Sequence, residues 1–244
     1  MTCLCECTNV SFVSGDTVSL EFIWPGPAPR GGQFFLIKPM RTGLFLGRPI
    51  SVAGWTPGGK LRFLVARRGR GSRELMDLRP GEEAKLTGPL GNCWPLADIP
   101  DGPVALVAGG VGIAPLSLFA TELKDRPFDM YAGYRTGYFG LENVKPRSLV
   151  ITTEDGSRGM KGLITEFFIP SSYSAVFACG PEPMLRAVGD ACIASEVPCF
   201  ISVEKYMACG VGACLGCTVK TTRGNRRCCT DGPIFDAQEV CFDK

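Results

Sequence analysis

Cys209-Gly-Val-Gly-Ala-Cys214-Leu-Gly-Cys217, followed after eleven further residues by Cys229 with Cys228 beside it, is where this chain's residue types and spacing speak most directly of chemistry. C-x4-C-x2-C…C is the plant-type spacing by which four thiolates hold a 2Fe-2S cluster. Such a cluster moves one electron at a time, so the sequence poses the question of where electrons enter and leave. Gly210, Gly212, Ala213 and Gly216 lie between the ligands. Small residues there allow positive φ and let backbone N–H groups point at sulfur. Lys220, Arg223, Arg226 and Arg227 separate the third and fourth ligands. They read either as an offset to thiolate charge or as a solvated hairpin. Zinc competes for four thiolates, but its sites usually repeat C-x2-C twice, and Cys214/Cys217 is the single such pair here.

Composition narrows the remaining possibilities. The chain has 244 residues, 45% hydrophobic and 20% charged, with a net charge of +2. That describes a packed globular protein of more than one domain, without the basic excess of a nucleic-acid binder. No apolar run is long enough to span a bilayer and no signal-peptide pattern precedes the first strand, so a cytoplasmic location is expected. Thirteen cysteines, an odd number, point to metal ligands and small core residues in a reducing compartment. Cys3, Cys5 and Cys7 alternate and would share one face of a strand. Histidine is absent, which removes Ser-His-Asp and Cys-His catalysis. Hydride and electron transfer are unaffected, because the cofactor supplies that chemistry.

The elements that position the cysteines fall into three stretches. In the first, Thr17–Trp24 and Lys60–Val65 alternate polar and apolar residues, and Gln33–Ile37 is a shorter apolar strand. Turns at Pro25-Gly-Pro, Arg30-Gly-Gly, Thr56-Pro-Gly-Gly and Arg79-Pro-Gly separate them. Short strands at this spacing predict a small antiparallel barrel over residues 1–98, with one short helix at Ser72–Leu78. After Pro100-Asp-Gly-Pro103 the pattern changes. Val104–Ala108 reads as a strand buried on both faces, and Phe128–Tyr134, Ser148–Thr152 and Ala175–Ala178 as further strands, alternating with helices from Ile113 and over Met184–Ser195. Alternation of this kind predicts a parallel α/β domain over residues 99–197. Residues 198–244 then form a small cluster-binding module. The fold expected is therefore multidomain, α+β and α/β.

Gly-rich turns sit at the ends of these strands. Gly109-Gly110-Val-Gly112-Ile-Ala-Pro115 joins a buried strand to a helix, where glycines admit a pyrophosphate and Pro115 fits the first turn. The strict G-x-G-x-x-G fingerprint fails at Pro115, and a plain tight turn remains open. Cys179-Gly180-Pro181 ends a second strand at the edge where open α/β sheets bind ligands. Gly69-Arg-Gly71-Ser72 is a small-residue turn into a helix, and Arg48-Pro49-Ile50-Ser51 sets a cation before an extended segment and a hydroxyl. Their order carries more information than any one of them.

In that order these elements resemble the ferredoxin–NADP reductase superfamily. The segment from Ser202-Val-Glu-Lys-Tyr-Met-Ala-Cys209 to Cys229-Thr-Asp-Gly-Pro closely resembles the electron-transfer subunits of bacterial NAD-dependent dihydroorotate dehydrogenases. The resemblance covers essentially the whole chain and implies FAD, a 2Fe-2S cluster and NAD(H) as cofactors. It implies that Arg48, with Pro49 and Ile50, pairs with the FAD pyrophosphate, and that Ser51 sits near the isoalloxazine. Gly69, Gly71 and Ser72 would cradle phosphate. Gly109, Gly110, Gly112, Pro115, Gly180 and Pro181 would receive the nicotinamide nucleotide, with Cys179 beside its ring and Asp155-Gly-Ser157 as a further part of that site. Cys179 and Ser51 are thereby the catalytic candidates. Cys209, Cys214, Cys217 and Cys229 become the cluster ligands, since the family's fourth ligand precedes x-Asp-Gly-Pro, and Cys228 becomes a bystander. Arg135-Thr136 after a strand would suit a 2′-phosphate, whereas the family implies NADH.

The partner implied is an FMN-containing catalytic subunit that oxidises dihydroorotate, in a heterotetramer, with no nucleic acid and no membrane involved. Two alternatives stand beside it. One is a flavin subunit of the same superfamily serving a hydrogenase, a sulfide dehydrogenase or a bifurcating ferredoxin–NADPH oxidoreductase. The other is a non-catalytic zinc-binding interaction module.

Overall fold

Alternating residues build the first domain. The computed structural model describes residues 1–41 and 43–242. Strands β1 (Thr2–Ser14), β2 (Thr17–Ile23), β3 (Phe34–Pro39), β4 (Arg48–Thr56), β5 (Lys60–Ala66) and β6 (Glu83–Leu90) close an antiparallel barrel in the order β1-β2-β5-β4-β3-β6. Closure leaves no sheet edge exposed. Phe22, Phe35 and Phe63 meet edge to face inside it, with Trp24 against Phe35. Cys5 and Cys7 are buried in this core and Cys3 packs at its margin, so the three alternating cysteines are core residues. Helix α1 (Arg70–Met76) caps the barrel with Leu75 and Met76.

Register on β3 and β4 decides the layout of the site. Phe35 and Ile37 point into the barrel, while Phe34 and Leu36 point out. Ser51 lies opposite Phe34 and Pro49 opposite Leu36. Directly paired residues of antiparallel strands share a face, so Pro49 and Ser51 also point outward.

Buried apolar strands make the second domain. A seven-stranded sheet runs β10-β9-β8-β7-β11-β12-β15. It contains β7 (Val104–Gly109), β8 (Phe128–Tyr134), β9 (Ser148–Thr153), β10 (Met160–Lys161), β11 (Ala175–Cys179), β12 (Cys199–Ser202) and β15 (Ile234–Asp236). All pairs are parallel except β12 with β15. Every residue of β7 and β11 is buried, because α2 (Ile113–Glu122) and α3 (Glu182–Ala194) contribute to the cover of the sheet's faces. Strand order reverses between β7 and β11, the switch point where such sheets bind ligands.

The expected boundary at residue 198 does not coincide with a break in this sheet. Both β12 and β15 lie beyond it in sequence and complete the second domain. What remains of the C-terminal stretch is a loop over residues 203–217, a hairpin of β13 (Thr218–Thr221) and β14 (Gly224–Arg227), a turn over residues 228–233 and the segment after β15. Cys217, Val219, Cys228 and Cys229 share one apolar cluster with Phe34 and Leu36 of the barrel and Val176 of the sheet. The cysteine module is therefore wedged against the outer face of β3.

Candidate functional site

The four predicted thiols lie as two pairs, Cys209 with Cys214 on one loop and Cys217, before the hairpin, with Cys229 after it. Val211 and Cys214 donate backbone N–H groups to Cys209 Sγ at 3.5 and 3.4 Å, and Gly212 donates to Cys229 Sγ at 3.2 Å. Gly210 and Gly212 adopt φ of +70° and +78°, which brings these N–H groups round to sulfur. The same donors pull the Cys209 thiol down to about 6, so it stands ready as the thiolate that iron requires. Cys209 pairs with Cys214, and Cys217 with Cys229, within hydrogen-bonding reach. Among the described residues no three metal-binding side chains converge as a single ion would need. Two pairs of thiols fit two irons with two thiolates each. Cys228 is set apart, since its Sγ donates to the Val203 carbonyl at 3.1 Å and burial pushes its thiol up to about 12. The basic residues follow the solvated-hairpin reading, as Arg223 pairs with Glu239 at 2.9 Å and Arg227 with Asp231 at 3.3 Å.

On the barrel, residues far apart in sequence meet. A methyl group on Gly71 would collide with the Arg48 guanidinium, which lies directly across that glycine. Arg48 is half-buried and enters none of the ion pairs formed among the described residues. A partly buried guanidinium without a carboxylate suits an anion such as pyrophosphate. Ser72 is more committed than its motif implied. Its Oγ accepts the N–H groups of Arg68 and Gly69 at 2.7 and 3.0 Å and donates to the Gly69 carbonyl at 3.1 Å. The hydroxyl thus shapes the turn, leaving the turn's backbone to meet a ligand.

At the switch point the two Gly-rich turns touch. Side chains at Gly109 or Gly180 would strike the other turn, and one at Gly112 would strike the Cys179 carbonyl. These glycines allow turn-to-turn packing, as a plain tight turn would require. Gly110 differs. It has φ of +54°, and the space above it is open. Pro115 sits in the first turn of α2, as expected. Pro181 starts α3. Beyond β8 and β9, Gly137 N–H donates to Ser157 Oγ at 3.1 Å and Asp155 accepts from Ser157 N–H at 2.9 Å, tying these loops together. Arg135 reaches Asp16 of the barrel at 3.2 Å.

Cys179 ends β11 between Ala108 and Ser202 of the neighbouring strands. Burial raises its thiol far above the ordinary range, with the Glu204 carboxylate acting in the same direction. It is therefore a neutral packing and contact group. The pH profile of thiol alkylation should show no limb from Cys179 between about pH 7 and 9. A limb near about pH 8.5 that disappears in Cys179→Ser would contradict this.

Glu204 was not singled out from sequence, although it lies inside the segment leading to Cys209. It is solvent-accessible yet walled by protein. Burial raises its carboxyl and Arg68 pulls it back. Glu204 of the cysteine module is thus close enough to feel the charge of Arg68 from the barrel and to act on buried Cys179 of the sheet.

This architecture defines a ferredoxin–NADP-reductase-like flavin and nicotinamide oxidoreductase extended by an iron–sulfur module. Residues 204–241 match the family described as the iron–sulfur cluster binding domain of dihydroorotate dehydrogenase B. A Clostridium acetobutylicum protein, dihydroorotate dehydrogenase B (NAD(+)), electron transfer subunit, is 44% identical over 216 residues, 88% of this chain and 87% of the relative. Its Clostridium perfringens counterpart is 42% identical over 217 residues, 86% of this chain and 87% of the relative. A solved NADH-dependent reduced ferredoxin-NADP oxidoreductase, described in terms of flavin-based electron bifurcation, superposes with a TM-score of 0.84 at 29% identity, covering 98% of this chain and 90% of the other. The chain belongs to the family of electron-transfer subunits of NAD⁺-dependent dihydroorotate dehydrogenase B.

Proposed function

We propose that this chain links an FMN-containing catalytic subunit, which oxidises dihydroorotate to orotate, to NAD⁺, in a cytoplasmic heterotetramer. FAD when bound exchanges both hydride and single electrons, and a 2Fe-2S cluster exchanges single electrons. Dihydroorotate loses two electrons and two protons; NAD⁺ takes both electrons and one proton as hydride, and the second proton is released. Cys209, Cys214, Cys217 and Cys229 hold the cluster. Arg48, Pro49, Ile50, Gly69, Gly71 and Ser72 hold FAD, with Ser51 beside its isoalloxazine. Gly109, Gly110, Gly112, Pro115, Gly180 and Pro181 frame the nicotinamide nucleotide, with Cys179 packed against the ring position.

The observation that carries this reading is the register of β3 and β4. Ser51 shares its outward face with Phe34 and Leu36, and a methyl on Gly210 of the cluster loop would lie 2.8 Å from Leu36 Cδ1. A flavin beside Ser51 would thus lie across one thin wall from the cluster loop, as short-range electron exchange needs.

The test is co-expression with the FMN subunit, anaerobic purification and assay with dihydroorotate and NAD⁺. Orotate and NADH should appear in equal amounts only when both chains are present. Zinc in place of iron, or turnover with dyes but never with NAD⁺, would overturn the reading. The similarity to the bifurcating oxidoreductase favours a second reading, a subunit of such a complex. Recovery of a ferredoxin-reducing partner instead of an FMN subunit would support it.

A further inference from the structure

Leu36 is flanked on both sides by loops that end in exposed apolar residues. A methyl on Gly47 would lie 3.1 Å from Leu36 Cβ, and one on Gly210 would lie 2.8 Å from Leu36 Cδ1. The barrel loop over residues 43–47 and the cluster loop are therefore neighbours. In the barrel loop Leu44 turns inward, 8% exposed, while Phe45 turns out, 89% exposed, with Leu46 beside it. In the cluster loop Val211 and Leu215 are exposed on either side of Cys214, itself exposed. Leu215 also adopts φ of +59°, a conformation that glycine would accept without strain. Neither packing nor backbone comfort within this chain accounts for a leucine there. Ion pairs Arg41–Glu82 and Arg227–Asp231 lie at the margins, so the apolar residues have a polar rim, the anatomy of a protein interface.

We propose that this two-loop rim is the seat of the catalytic subunit, with Phe45 as its anchor, so that the docking surface extends from the cluster module onto the flavin barrel. The inference rests on the electron-transfer reading above. The occupant follows from the position of Cys214. The one ligand pair open to solvent, Cys209 and Cys214, lies within the patch, so whatever covers Val211 and Leu215 also covers the outer edge of the cluster. A single-electron carrier requires its redox partner at that edge. In the electron-transfer subunit of an oxidoreductase that partner, here the electron donor, is the catalytic chain. Contact with both loops would also fix the cluster between the partner and the β3 wall, and thus the order of electron flow.

The test uses the full chain carrying its cofactors, as wild type, Phe45→Asp and Leu215→Glu, with Phe12→Asp as a control on the exposed β1–β2 hairpin. FAD content, iron content and NADH–dye activity should match wild type in all of them. Affinity for the purified FMN subunit, measured by sedimentation, should fall roughly 30-fold or more for Phe45→Asp, the size expected of an interface anchor. Leu215→Glu should also weaken binding, and Phe12→Asp should not. Wild-type affinity in Phe45→Asp, or equal weakening by Phe12→Asp, would overturn the seat while leaving the electron-transfer reading intact. Failure of the wild-type chain to bind the FMN subunit would overturn both.

Discussion

Replacing Cys214 by serine will strip the cluster from the protein and leave a folded flavoprotein that still passes electrons from NADH to a dye. Cys214 is exposed, so the substitution opens no cavity and breaks no buried contact. A serine hydroxyl does not ionise at neutral pH and is a poor ligand for iron. Changes outside the ligand set already cost metal sites about 10–100-fold in affinity, and loss of a ligand costs more. Iron content and cluster absorbance should fall to background, and dihydroorotate-dependent NAD⁺ reduction with them. FAD content and NADH–dye activity should persist, since Arg48, Gly71 and the switch-point turns lie apart from Cys214. Cys228→Ser is the matched control. Its hydroxyl can still donate to the Val203 carbonyl, so iron should stay. Loss of NADH–dye activity in folded, FAD-loaded Cys214→Ser, or loss of iron in Cys228→Ser, would contradict the assignment.

What could be read from the chain depended on whether the signal was local. Strands β2, β3 and β5 were legible because alternation and turn residues lie within a few positions of one another. The far end of β1 was not, because its register shifts between Cys7 and Asn9 and again between Phe12 and Ser14, and each shift breaks the two-residue period. Helix α2 is buried over eight of its ten residues and carries little amphipathic pattern, so the Gly-rich turn before it was the stronger signal. The membership of β12 and β15 in the parallel sheet was hidden for another reason. Ile234–Asp236 pairs with Cys199–Ser202 across the whole cysteine loop, and no local periodicity encodes a partner that distant. The site divides the same way. Ligand spacing in the cluster loop is a local property, and its N–H-to-sulfur bonds follow from glycines beside the cysteines. The electrostatic neighbourhood of Arg68, Cys179 and Glu204 is assembled by three units, so Glu204 could be recognised only once they were packed together.

The contact between Arg48 and Gly71 is equally non-local, and it yields a prediction that separates binding from folding. Gly71→Ala places a methyl group where the Arg48 guanidinium now lies. Gly71 does not require positive φ, and the obstructed group is the far end of a flexible side chain, so the barrel need not deform. Alanine is also favoured over glycine in a helix by up to about 1 kcal/mol, so thermal stability of the apoprotein should hold or rise. FAD affinity should move the other way. A charge-assisted hydrogen bond from a guanidinium is worth about 1.5–3 kcal/mol, so displacing Arg48 should weaken FAD roughly 10- to 100-fold. Arg48→Ala should cost a similar amount. The double variant should cost little more than either single change, because both remove the same interaction. Iron content should stay at the wild-type level throughout, since the cluster loop rests on Leu36 and Leu90 and not on Arg48. Fluorescence titration of FAD into the apoprotein reads the affinity, and calorimetry reads the stability. Unchanged FAD affinity in Gly71→Ala, or full additivity in the double variant, would show that the guanidinium over Gly71 does not hold the pyrophosphate.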